Sequence, residues 1–72
     1  MLEVKFKLKD ILEDRHMTQK ELAKAANVRE ATISDIVRGT RTVINFQHLA
    51  AIATALNIEN IEDIMVFQKI EN

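Results

Sequence analysis

Residues 18–39 read TQKELAKAANVREATISDIVRG, and the organisation of the chain follows from them. Thr18 and Glu21 stand three apart, the spacing of a capping box, in which a hydroxyl accepts from a backbone N–H and a carboxylate reaches back to the capping residue. Met17 and Leu22 flank the box as a hydrophobic staple. A helix is therefore expected from Gln19 to about Ala26, with Leu22, Ala23 and Ala26 inward. Asn27 ends it, because asparagine tolerates left-handed backbone better than most residues. A second helix is expected over about Glu30 to Arg38, with Ile33, Ile36 and Val37 inward. Gly39 is its left-handed terminator.

Working outward, Leu8, Ile11 and Leu12 are spaced as in a helix running through about Arg15, where Arg15 and His16 place cations at the negative end of the helix dipole. Before it, Leu2, Val4 and Phe6 alternate with Glu3, Lys5 and Lys7, the period of a strand with one buried face. Beyond Gly39 an extended connector leads to Asn45, which caps a helix carrying Leu49, Ile52, Ala53 and Leu56 and ending at Asn57. Ile44 and Leu49 form a second staple. Asn60 starts a short fifth helix that buries Ile61 and Ile64. Residues 65–70 are rich in strand formers and are expected to pair with residues 2–7 as a small terminal sheet.

The composition agrees with one small helical domain spanning residues 1–72. Of 72 residues, 47% are hydrophobic, 29% charged and 4% aromatic, with one glycine, no proline and no cysteine. Disulfides and thiolate metal sites are excluded. No apolar run approaches the roughly 20 residues of a membrane helix, and the charged, alternating start does not resemble a secretion signal. A cytoplasmic protein, bacterial or phage-encoded, is the expectation. The net charge of −1 hides an asymmetry. Between Thr18 and Asn45 five lysines and arginines face three acids, a net of +2, while the rest carries five against eight, a net of −3. A mildly basic middle hints at an anionic partner.

Two helices joined by a turn of three or four residues, with Ala23 at the crossing, Asn27 in the turn and Leu22, Ala26, Val28, Ile33 and Ile36 apolar, have the spacing of a DNA-binding helix-turn-helix. The likeness extends along the chain. The opening M-T-Q-x-E-L-A, the I-S-x-I before Gly39 and the L-x-x-I-A-x-A-L-x-I from Leu49 to Ile58 resemble the phage-repressor type, or Xre/Cro-like, helix-turn-helix family. The match runs from about Leu8 to Ile64. The resemblance implies an all-α, five-helix lambda-repressor-like bundle that binds double-stranded operator DNA as a homodimer, here with short terminal strands. It also implies roles by position. Arg29, Glu30, Ala31, Ser34 and Asp35 would face bases: Arg29 a guanine or phosphate, Glu30 and Asp35 the N4 group of cytosine, Ala31 a thymine methyl. Thr18, Gln19, Lys20, Arg38, Thr40, Arg41 and Asn45 would contact phosphates, Gln19 at the N-terminus of its helix. Arg29 stands where the family often has Ser or Thr, and Glu30 and Asp35 bring negative charge toward the backbone. Four or five phosphate contacts would give a salt slope of about −4.

Solvent-facing charge is the competing reading of Lys20, Lys24, Arg38, Glu30 and Asp35. An enzyme is not expected. Ser34 is the only serine and lies within a helix, His16 and His48 have no ligand cluster around them, and the acidic pairs Glu13-Asp14 and Glu62-Asp63 diverge on a helix. No cofactor, metal, membrane or small-molecule partner is implied. A protein-interaction module on the same scaffold, antitoxin-like, is the rival reading, favoured by the acidic stretch from Glu59 to Glu71 and the terminal strand. Unpaired edges on the terminal strands are a further reason to expect a homodimer.

Overall fold

The computed structural model describes residues 1–40 and 43–71; Arg41, Thr42 and Asn72 lie outside the described residues. In chain order the elements are β1 (Leu2–Phe6), α1 (Leu8–Asp14), α2 (Gln19–Ala26), α3 (Glu30–Arg38), α4 (Phe46–Ala55), a 3-10 turn (Ile61–Asp63) and β2 (Met65–Lys69). The core is assembled from one face of every helix: Leu8 and Leu12, Leu22, Ala23 and Ala26, Ile33 and Ile36, Ile52 and Leu56, closed by Ile64. Val28, Val37, Ile44 and Leu49 pack partly buried against it.

The helix starts are built as the sequence suggests. Thr18 Oγ1 accepts from the Glu21 N–H at 3.0 Å while Glu21 Oε1 accepts from the Thr18 N–H at 3.0 Å. Asn45 Oδ1 accepts from the N–H groups of Gln47, at 2.8 Å, and His48, at 3.4 Å. The helix ends share one device. His16, Asn27, Gly39 and Asn57 all have φ between 53° and 71°. Each is followed by a residue whose N–H reaches back five positions: Met17 to Leu12, Val28 to Ala23, Thr40 to Asp35 and Ile58 to Ala53. These bonds satisfy carbonyls that the helix leaves open and turn the chain sharply.

Three expectations are corrected. Among the described residues the bundle has four α-helices, not five, beside a two-stranded sheet. The chain after Asn60 completes only a 3-10 turn, because the Lys7 N–H binds the Ile64 carbonyl at 2.8 Å and Met65 is already paired with Phe6. Strand pairing thus begins before a second helical turn can form. Ile61 is left outside at 60% exposure, while Ile64 is buried as expected. Second, α1 ends at Asp14 with Arg15 as its C-cap, close to where the sequence puts the end, but the Arg15 guanidinium does not cover carbonyls of α1; it donates to the Leu56 carbonyl at 2.6 Å, tying α1 to the end of α4. Third, the strands pair antiparallel, Leu2 with Lys69 through Phe6 with Met65, but the apolar side of the sheet is not buried. Among the described residues of the sheet, Phe6 and Met65 reach the core, and Leu2, Val4 and Phe67 stay exposed.

Candidate nucleic-acid interface

The arrangement of α2 and α3 decides what α3 presents to solvent. Thr32, Ile33 and Ile36 face inward. Three buried positions on a nine-residue helix leave one outer stripe, formed by Glu30, Ala31, Ser34, Asp35 and Arg38. Glu30, Ala31 and Arg38 are exposed and Ser34 and Asp35 half-buried at its margin. Arg29 precedes the helix with extended backbone and an exposed side chain. Its side chain makes no cap hydrogen bond, as befits a residue standing where a hydroxyl would cap, so it remains available to an outside partner. The stripe is electrically mixed. Arg38 Nη2 donates to Asp35 Oδ1 at 2.9 Å, an exposed pair one turn apart. Such pairs contribute about 0–1 kcal/mol, so a stronger anion can draw the guanidinium away.

The start of α2 forms the second part. The first N–H groups of a helix have no partner inside it. The capping box occupies those of Thr18 and Glu21, and those of Gln19 and Lys20 are the ones open to an anion. The Glu21 carboxyl is held below its ordinary pKa of 4.5, first by the Thr18 backbone N–H donated to it and then by the Thr18 side chain. Thr18 therefore has both its backbone N–H and its hydroxyl engaged with Glu21, and only by turning that hydroxyl away can it reach a phosphate. A groove of about 480 Å³ joins this end of α2 to α3: Thr18 and Gln19 line it with Val37, Lys9 and His16.

The remaining candidates lie beyond α3. Thr40 is exposed and its hydroxyl donates to the Asp35 carbonyl at 3.3 Å, leaving its lone pairs as acceptors. Asn45 spends its carbonyl oxygen on the cap of α4, so its amide NH₂ is the group free to contact a phosphate. Arg41 lies outside the described residues. Thr32, next to Ala31 on α3, is buried and faces the core. Lys9 and His16 are additions that sequence reading missed. Both belong to the first helix and its end, and only the left-handed turn at His16 brings them beside Gln19.

A family model described as a Cro/C1-type HTH DNA-binding domain matches residues 7–69. Among solved structures, the crystal structure of the transcriptional regulator VanUg, form II, superposes with a TM-score of 0.73 and 29% sequence identity, over 93% of this chain and 87% of that one. A comparison with curated proteins gives no match.

Proposed function

We propose, because the chain belongs to the Cro/C1-type helix-turn-helix DNA-binding family, that it is a transcriptional regulator whose α3 enters the major groove while the start of α2 grips the backbone. The observation that carries the reading is the exposed stripe of α3, with Arg29 at its entry and Gln19 one groove away. Ala31 offers a methyl to thymine, Ser34 a hydroxyl to any base edge, and Glu30 and Asp35 accept from cytosine N4. Arg29 reaches a guanine. Gln19, Lys20, Arg38, Arg41 and Asn45 hold the phosphates, Thr18 and Thr40 join them by turning their hydroxyls outward, and Lys9 adds charge beside His16. Similarity to VanUg, named a transcriptional regulator, supports the same class of activity. With no ligand pocket required by the site, regulation is by occupancy: a homodimer covers two half-sites about 34 Å apart and keeps polymerase off the promoter.

Affinity for a duplex as a function of salt tests this. Four or five phosphate contacts give a log–log slope of about −4, and replacing Lys20 or Arg38 by alanine makes it shallower by about 0.9 each. A slope near zero, unaltered by either change, refutes the reading. The rival, a protein-interaction module, draws on a specific observation: Phe46, Ile61 and Phe67 are large apolar side chains left in water. It predicts insensitivity to Gln19→Ala and Arg41→Ala and loss of the partner with Val66→Asp or Phe67→Asp.

A further inference from the structure

We infer that the apolar face formed by Phe46, Ile61, Phe67, Val4 and Leu2 is the seat of a second copy of this chain. The inference assigns a surface to the homodimer proposed above. The residues come from four elements and are continuous. Phe46, Leu49, Ala53 and Ile61 line a groove of about 380 Å³ along α4. Val4, Ile61, Met65 and Phe67 line another of about 400 Å³ along the sheet. Ile61 belongs to both and joins them. The strand register carries the face outward, since paired residues share a side of the sheet: Val4 with Phe67, then Leu2 with Lys69.

The size suits a second copy. Phe46 is 82% exposed and Phe67 74%. A phenylalanine presents about 150–250 Å², so with Ile61, Val4 and Leu2 the face amounts to roughly 500 Å², in the range of about 300–600 Å² where the largest patch on a monomer is often functional. Doubled across a two-fold axis it removes about 1,000 Å² before any polar rim is counted, the least that a specific interface needs. Charge gives the orientation. Lys69 closes the face at the sheet end, and Glu59 closes it beside Phe46. A two-fold contact is self-complementary, so it turns the basic end of each copy to the acidic end of the other. None of Arg29, Glu30, Ala31, Ser34 and Asp35 lines either groove, so association leaves the α3 stripe uncovered.

Sedimentation equilibrium of the full chain without DNA tests the inference, so failure here leaves the DNA-binding reading standing. The expected species at micromolar concentration has twice the 8.3 kDa chain mass. Ile61→Asp and Phe67→Asp, at exposed positions, leave the far-ultraviolet dichroism unchanged and sediment as monomers. Lys69→Glu and Glu59→Lys each weaken association about tenfold by setting like charges opposite, and an equimolar mixture of the two restores it because both cross-pairs are then of opposite sign. A wild-type chain that stays at 8.3 kDa, a dimer that survives both aspartate substitutions, or a mixture no tighter than either charge variant alone overturns the inference.

Discussion

Glu30→Gln separates stability, non-specific binding and base choice in one substitution. Glu30 is the first residue of α3 and is exposed. A carboxylate there is favoured by the helix dipole by about 0.3–1 kcal/mol at low salt. Its loss lowers the melting temperature by roughly 1–8 °C, at about 4–8 °C per kcal/mol for a domain of this size. DNA binding moves the opposite way. A carboxylate about 8 Å from a phosphate repels it by roughly 0.5–2 kcal/mol, between water-like and surface dielectric values, so affinity for random duplex rises about twofold to thirtyfold at low salt and the gain fades as salt screens it. Base preference changes too. A glutamate accepts from cytosine N4, whereas glutamine makes two bonds to adenine, each arrangement discriminating by about 1–3 kcal/mol. Selection from a random duplex pool, by wild type and variant in parallel, reads this directly: one position per half-site passes from cytosine to adenine. A less stable protein that binds random DNA more tightly and prefers a different base is the expected outcome. Unchanged non-specific affinity together with an unchanged motif refutes the placement of α3 against DNA.

Four further outcomes follow from the fold. Thr18→Ala removes the hydroxyl that receives the Glu21 N–H and costs about 1 kcal/mol, seen as a melting temperature lower by about 4–8 °C. Because the Glu21 carboxyl has its pKa lowered from 4.5, the stability it contributes is present above that pH and lost as pH falls through the lowered value; the difference in melting temperature between wild type and Glu21→Gln is full at pH 7 and shrinks below pH 4.5. Gly39→Ala meets no atom within 4 Å of the added Cβ, so its cost is that of holding φ at 71°, about 1 kcal/mol by urea denaturation. Ile33→Ala opens a cavity at a fully buried position and costs about 2–5 kcal/mol by the same measurement, a large share of the roughly 4–11 kcal/mol available to a chain of this length.

The helix-turn-helix was legible because its signals are local. The capping box at Thr18, the left-handed Asn27 and Gly39 and the apolar spacing of Leu22, Ala26, Ile33 and Ile36 each act within a few residues of their own position. His16 was not read as a helix terminator, since a cation at the end of a helix reads first as a partner of the dipole; histidine is among the residues enriched at positive φ, and here it takes that conformation while the Met17 N–H binds the Leu12 carbonyl. The fifth helix failed for a non-local reason. Asn60 and Asp63 signal a start, but pairing of Met65 with Phe6, some sixty residues away, takes the chain into a strand first. Strand alternation at Leu2, Val4 and Phe6 identified the element correctly and its surroundings wrongly: period two says that one side is apolar, not that anything within the same chain covers it. Of the site, the stripe on α3 came position by position from the family resemblance, whereas Lys9 and His16 join Gln19 only through the fold.

Mapping backbone and methyl resonances of the protein on titration with a duplex enriched from a random pool tests the central claim most directly. The account predicts that the largest shifts fall on Gln19, Glu30, Ala31, Ser34 and Arg38, with the Ala31 methyl group moving as it meets the major groove. Shifts confined to the apolar face around Phe46, Ile61 and Phe67, with the α3 stripe unmoved at saturating DNA, would contradict it.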